Sequence, residues 1–274
     1  MCVAHKWIVA VVVGLSLVGS ARCASAAEVT DADRSFRNYT QETAVVSDQQ
    51  VRVEVRGVMV QDEGKTRLNL IGYRIKADSI HGGIMDLVGS YGLSKNSELG
   101  LILPGYIESR RVSGQPAVNN GDMGDLQLYG KFKYSVAEHC SVGAGGQLSV
   151  PTGNEKKEFG TNELGMTPYV STRYEHGSLG VGVQAGYQFW TGDVPGAFQY
   201  GAEFFVRPSE SWAFRTEVAG RVFDQGGFRN HDVSLYPGFD YNLEENLVIR
   251  PIGIVGLSKI ALDYGIGLGV AAKF

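Results

Sequence analysis

The last stretch of the chain, Asp263 to Phe274, reads D-Y-G-I-G-L-G-V-A-A-K-F. One parity carries Tyr264, Ile266, Leu268, Val270, Ala272 and Phe274, and the other carries Gly265, Gly267, Gly269, Ala271 and Lys273. A period of two is the mark of a β-strand with one apolar face. The opposite face has almost no side chain, and the chain stops on an aromatic residue in phase with the apolar side. Chain termini of water-soluble domains are usually polar and frayed. A strand that faces lipid on one side and a lumen on the other, and that must close against the first strand of its sheet, accounts for this pattern. The expected fold class is all-β: an antiparallel transmembrane β-barrel.

The front of the chain fits export. His5 and Lys6 precede an apolar run from Trp7 to Val18, and Ser20 to Ala27 is rich in small residues. This is the layout of a secretory signal peptide, expected over residues 1–27. Arg22 before Cys23 does not suit a lipidation site, which needs a small residue there. Beyond the leader only Cys140 remains, so no internal disulfide is expected. No other run reaches the roughly 18 apolar residues of a membrane helix. A membrane location therefore requires a closed sheet, which satisfies every backbone group in lipid. Glycine, 37 of 274 residues, stands at close to twice the average share of about 7%, which suits small inward positions and tight turns. The net charge of −4 argues against a nucleic-acid partner.

Residues 28–50 are polar and unpatterned and are expected to form a flexible periplasmic segment, with residues 51–274 as the barrel. Val51 to Val60 begins V-R-V-E-V-R, but counting from Arg67–Lys76 as the first strand yields twelve, an even number. Val51–Val60, which would make thirteen, is then an N-terminal extension, a plug segment or a sign that the strand count is off. The connections alternate in length from Ser94 onward. Short ones fall at Ser94–Ser97, Ala137–His139, Glu175–Ser178, Pro208–Ser211 and Leu243–Asn246. Longer ones fall at Glu108–Met123, Pro151–Asn162, Thr191–Gly196, Asp224–His231 and Leu257–Leu262. Outer-membrane barrels pair short periplasmic turns with long outer loops, so the C-terminus lies in the periplasm and the location is the bacterial outer membrane. A secreted β-sandwich also alternates, but with strands of about 5–6 residues. Here most run to about ten, as a tilted membrane strand requires. Tyr106, Tyr134, Tyr174, Trp190, Trp212, Phe223, Tyr241, Tyr264 and Phe274 gather near strand ends, where an interfacial girdle is expected.

By parity the lumen receives Asp125, Lys131, Lys133, Arg173, Glu203, Arg207, Arg215, Glu217, Arg221, Asp240 and Arg250. Mixed charges can line a water-filled pore or select solutes, or they can pair and fill the interior, since small barrels pack their centres with side chains. His139 and His176 are expected at periplasmic turns, and His81 and His231 in outer loops. No H-E-x-x-H or paired-Cys spacing occurs, so neither a metal nor another cofactor is implied. A Ser/His hydrolase needs its His on a strand face. The readings are thus a passive channel for small molecules, a structural or adhesive barrel with a plugged lumen, or a lipid-modifying enzyme, with no enzymatic activity favoured.

The middle of the chain adds a signature. Leu101-Ile-Leu-Pro104 leads to G-D-M-G-D-L-Q-L-Y-G-K-F-K-Y from Gly121 to Tyr134, then to Leu148-Ser-Val-Pro151-Thr-Gly153. This resembles the outer-membrane family of the meta-pathway of phenol degradation. The resemblance implies a barrel that passes small aromatic or hydrophobic compounds. It also implies contact with membrane lipid, and a terminal Phe274 read by the barrel-assembly machinery. The motif itself has a structural account: Asp125 bonds local backbone at a loop-to-strand entry, and Pro151 ends a strand whose ladder it cannot continue.

Overall fold

The structure is a computed structural model that describes residue 46 and residues 48–63, 67–68, 74–75, 79–111, 114, 116–157, 159–192, 194–225 and 228–274. The expected leader and most of the expected lead-in lie outside the described residues. Among the described residues fifteen strands follow in chain order: β1 (Val51–Glu63), β2 (Arg67–Leu68), β3 (Arg74–Ile75), β4 (Ser79–Ser94), β5 (Ser97–Arg111), β6 (Val118–Met123), β7 (Leu126–Ala137), β8 (Cys140–Val150), β9 (Gly165–His176), β10 (Leu179–Trp190), β11 (Ala197–Val206), β12 (Trp212–Gln225), β13 (Phe228–Glu244), β14 (Leu247–Gly256) and β15 (Tyr264–Lys273).

Twelve of them close a barrel. From β7 to β15 each strand pairs with the next, β15 pairs with β1, β1 with β4, β4 with β5, and β5 with β7. All pairings are antiparallel. The count of twelve is as expected, but its first member is not. β1 runs antiparallel to β15 from Arg52↔Lys273 to Gln61↔Tyr264 and on its other edge to β4. It is a full wall strand rather than an extension or plug. Of the stretch Arg67–Lys76, the described residues pair as β2 with β3, two residues each, outside the barrel sheet. The physical reason is closure: in lipid, β15 needs a partner for its free edge, and V-R-V-E-V-R has the right period to provide it.

Strands of ten residues or more alternate inward and outward. Outward positions include Met59, Leu101, Phe132, Val170, Val183, Phe204, Ile266 and Leu268, all exposed and apolar. An apolar belt of this extent on a closed wall faces lipid. The barrel is an outer-membrane barrel and its belt contacts membrane lipid. Tyr134, Tyr174 and Trp212 are exposed near the short turns and Tyr264 near the long loops, which gives two rims. Tyr106 is not a girdle residue. It turns inward and stacks on Phe159 with ring centroids 5.5 Å apart. The loop expected from Glu108 to Met123 is shorter than predicted, because β5 continues to Arg111 and β6 begins at Val118. His81 and His231 lie in β4 and β13, not in loops.

β6 and β7 follow one line along β5, with Gly105↔Met123 above Ile102↔Gln127, and the line is broken at Gly124–Asp125. Asp125 makes the break useful. One carboxylate oxygen accepts from Gly153 N–H at 2.8 Å, and the other accepts from Thr161 N–H and its hydroxyl at 2.9 and 2.8 Å. The signature motif thus pins the outer loop between β8 and β9.

Cysteines placed at Val55 and Val270, which face each other across the closure, should oxidise to a disulfide in a Cys140→Ser background. Cysteines at Val55 and Ile266 should not. Gel migration with and without reductant reads the difference. Asp125→Ala removes three bonds to a charged acceptor and should cost about 2–4 kcal/mol in urea unfolding.

Candidate functional site

The inward face of the barrel divides into two layers along its axis. β1 climbs from the periplasmic end as Arg52, Glu54, Arg56, Val58, Val60 and Asp62, all buried. β14 climbs in step as Val248, Arg250, Ile252 and Ile254. Between them β15 presents Gly269, Gly267 and Gly265. A Cβ at Gly267 would lie 2.8 Å from Val58 Cγ2 and 2.9 Å from Ile252 Cγ2. The side chains of the two flanking strands therefore meet over β15.

The lower layer is charged. Arg250, with 0% exposure, donates to Glu54 at 3.1 Å and lies 3.6 Å from Asp240. Asp240 accepts from Arg215 at 3.0 Å, and Arg215 also donates to Glu203 at 3.0 Å. Across the lumen Glu98 gathers Arg52 at 3.6 Å, Lys131 at 3.4 Å and the Tyr129 hydroxyl at 2.8 Å. Four cations (Arg52, Lys131, Arg215, Arg250) thus face four carboxylates (Glu54, Glu98, Glu203, Asp240). Bringing that many charges out of water is tolerated only because each is paired. Below this ring, Phe205 is enclosed by the guanidiniums of Arg173, Arg207 and Arg215 at 4.3, 4.8 and 5.3 Å from its centroid. Arg173 and Arg207 both pair with Glu175. The Phe205 ring lies where Gly180 leaves room, since a Cβ there would approach it to 1.9 Å.

The periplasmic mouth holds one further element. Val46 is completely buried, and its N–H donates to Glu98 at 2.7 Å. A turn at Asp48–Gln49, with Gln49 at φ 58°, then sends the chain outward into β1.

The upper half holds an apolar cluster beside buried charges, among them Asp62, Glu108 and Asp232. Val58, Val60, Ala219, Tyr236, Ile252 and Ile254 form one buried cluster, with Ile84, Tyr106 and Leu262 packed against it. Phe159 of the outer loop continues it through Tyr106.

The structure places the residues expected in the lumen as follows. Lys131, Arg173, Glu203, Arg215, Asp240 and Arg250 belong to the ion pairs of the lower half. Arg207 is half-buried against Phe205. Glu217 is buried beside the ring. Arg221 pairs with Asp232 at 2.9 Å, higher in the barrel. Lys133 is half-buried near the short turns. Asp125 serves the outer loop. The parity argument missed Arg52, Glu54 and Arg56, because β1 was not counted, and Glu98, because it starts a strand just after a turn. The alternation V-R-V-E-V-R was the available signal for the first three.

Beyond the belt, β6 has a barrel strand on one side only. An open edge is not viable in lipid, so β6 stands among the outer loops. There Asp122 accepts from Lys157 at 3.0 Å and from Asn154 at 2.9 Å. The hydrogen bond from Lys157, with those from Met123 N–H and Asn154, holds the Asp122 carboxyl below the usual carboxylate range. Among the described residues no three His, Cys, Asp or Glu side chains converge to hold a metal.

The family model described as "Putative MetA-pathway of phenol degradation" matches residues 38–274. The chain belongs to that family. Among solved structures, the family member is similar to an outer-membrane channel from Pseudomonas putida F1, at a TM-score of 0.68 and 14% identity, covering 87% of this chain and 100% of that one. It is also similar to the NanC porin, at a TM-score of 0.57 and 11% identity over 81% and 100% of the two chains. The KdgM porin in complex with disordered oligogalacturonate follows at 0.51 and 14%, over 81% and 99%. At such identities the likeness speaks for the twelve-stranded wall. No match was found among curated protein sequences.

Glu98→Ala removes the carboxylate that Arg52 and Lys131 share in a buried site and should cost about 3–5 kcal/mol in urea unfolding. For Asp122 the folded pKa is lowered, so its contribution is present above the unfolded value and is lost as pH falls through the folded one. Exchange at the amides of the Asn154–Lys157 turn, normalised to Asp122→Asn, should be slower at neutral pH and should converge with the variant on acidification.

Proposed function

We propose that this barrel is a passive channel for small molecules, and that the paired charges of its lower layer form the constriction. The observation that carries the reading is the nature of that filling. A barrel that only needed a solid centre would gain more from apolar packing, because a buried ion pair is often no more stable than a hydrophobic replacement. Ion pairs can exchange partners, and Arg215 and Arg250 each already sit between two carboxylates. Twelve strands also stand between the filled eight-stranded barrels and the open porins of about sixteen. Membership of the family and the likeness to an outer-membrane channel and to porins support the same reading. Val46 beside Glu98 puts the approach to the first strand at the constriction itself. The apolar cluster around Tyr236 and Ile252 in the upper half favours small aromatic or hydrophobic solutes.

In this reading the lumen-lining residues act by charge and size, without a catalytic step or a cofactor, and the chain is not an enzyme. Residues 1–27 are its leader. Phe274, whose backbone exchanges both hydrogen bonds with Val51, is the residue offered to the assembly machinery before closure. A permanently plugged structural barrel is the second reading, favoured by the near-complete burial of Arg250, Asp240 and Glu98.

Single-channel conductance in planar bilayers separates the two. Steady conductance is expected from the native protein. Arg215→Ala removes the cation shared by Glu203 and Asp240 and should raise it severalfold and shift selectivity toward cations. A folded, heat-modifiable barrel that passes neither ions nor small solutes, with or without that change, establishes the plug.

A further inference from the structure

Two short turns at the periplasmic end carry a pair of side chains that a passage through the lumen does not use. His139 closes the turn between β7 and β8, and His176 ends β9 at the turn into β10. Their rings meet edge to face, with centroids 4.8 Å apart, and both residues are exposed. The backbone beneath them is fixed. Cys140 pairs with Tyr174, and Glu175 N–H donates to the His139 carbonyl at 2.8 Å. Gly177, at φ 59°, takes the left-handed conformation that turns the chain directly after His176. His176 shares the outward parity of Tyr174, whose ring lies 6.3 Å from that of His139. The pair therefore stands on the outer surface of the barrel, at the periplasmic rim.

The spacing is that of two imidazoles on one ion. A metal–nitrogen bond of about 2.0–2.1 Å puts each ring centroid about 3.2 Å from the metal. Two such rings have centroids about 4.5 Å apart at a right angle and about 5.1 Å apart at a tetrahedral angle. The observed 4.8 Å falls between the two, so rotation of the exposed rings in place suffices to aim a nitrogen of each at a common point. Neutral imidazole suits copper, nickel and zinc, and among these the divalent series favours Cu²⁺. Glu175, next to His176, is directed to Arg173 and Arg207. Among the described residues no third His, Cys, Asp or Glu joins the pair, so water completes the coordination. The other two described histidines stand elsewhere. His231 is hydrogen-bonded with the Tyr200 hydroxyl, and His81 lies in β4 opposite Gln61 and Ser109.

We propose that His139 and His176 form a two-histidine site for a divalent transition metal, Cu²⁺ ahead of Zn²⁺, on the periplasmic rim of the barrel. The bound ion staples the β7–β8 turn to the β9–β10 turn across the β8–β9 pair. The site is independent of what passes through the lumen, since it lies on the outer surface and shares no residue with the charged ring.

The test uses the full-length protein without a polyhistidine tag, purified from outer membranes in a Cys140→Ser background, so that the neighbouring thiol neither binds nor reduces copper. Heat-modifiable migration on gels checks that each variant is a folded barrel. Titration with Cu²⁺, followed by electron paramagnetic resonance, should show one ion per chain with hyperfine splitting from two nitrogens. His139→Ala and His176→Ala should each abolish the two-nitrogen pattern. Each should weaken binding at least as much as losing a supporting partner of a ligand does, about 10–100-fold. His81→Ala with His231→Ala should leave both readouts unchanged. Zn²⁺ should slow amide exchange in the two turns together, and in neither once His176 is replaced. Copper bound equally tightly by the folded His139→Ala/His176→Ala double variant overturns the site. So does the absence of saturable binding at micromolar Cu²⁺, and so does slowing confined to one turn, which removes the staple.

Discussion

Everything in this molecule depends on the closure of β1 onto β15. A sheet in hydrocarbon cannot leave an edge unpaired, because no water is present to bond the free N–H and C=O groups. The ten register pairs from Arg52↔Lys273 to Gln61↔Tyr264 meet that demand. They also decide what the interior contains. Bringing β1 into the wall turns Arg52, Glu54 and Arg56 toward the axis. The charged layer needs two of them: Glu54 is the partner of Arg250, and Arg52 is a partner of Glu98. As an appendage outside the wall, β1 would take Glu54 from Arg250 and leave it beside Asp240, which Arg215 already shares.

The two layers follow from the same wall. A barrel of twelve strands is wide enough to need filling and too narrow to stand open like a large porin. Near the periplasmic end the filling is made of long charged side chains that reach across the axis in pairs. Toward the outside branched aliphatic and aromatic side chains form a cluster, with Leu262 packed against it and the Arg221–Asp232 pair in the same half. Glycine opposite each large ring, as at Gly180 beneath Phe205 and Gly100 beneath Tyr129, lets bulky groups lie flat against neighbouring strands.

Much of this was legible in the sequence. The period of two, the alternation of short and long connections and the glycine face of the last strand are local patterns, and they specify a closed antiparallel barrel, its direction and most of its inward residues. Local patterns do not report pairing between distant segments. V-R-V-E-V-R is a good strand anywhere, and only the unpaired edge of β15, more than two hundred positions away, makes it the first stave of the wall. Tyr106 illustrates the same limit. Its position near a strand end suits a girdle, but its parity along β5 turns it inward, where Phe159 waits on a loop that pattern alone cannot place. The role of Asp125 as a clamp between Gly153 and Thr161 was half visible, since a carboxylate beside a glycine announces a turn without naming the backbone it will hold.

The bare inner face of β15 bears on the order in which the molecule is put together. Gly265, Gly267 and Gly269 bring no side chains into the lumen, and the contacts above and below them are made by β1 and β14 with each other. Over these three positions docking β15 is an exchange of backbone bonds, and the buried side chains of that face, Ala271 and Lys273, lie at its far end. The pairing that spans the longest stretch of chain, and so carries the greatest loop-closure cost, is spared a steric cost as well. The last stave slides into place like a flat slat, and the interior need not be dismantled to admit it.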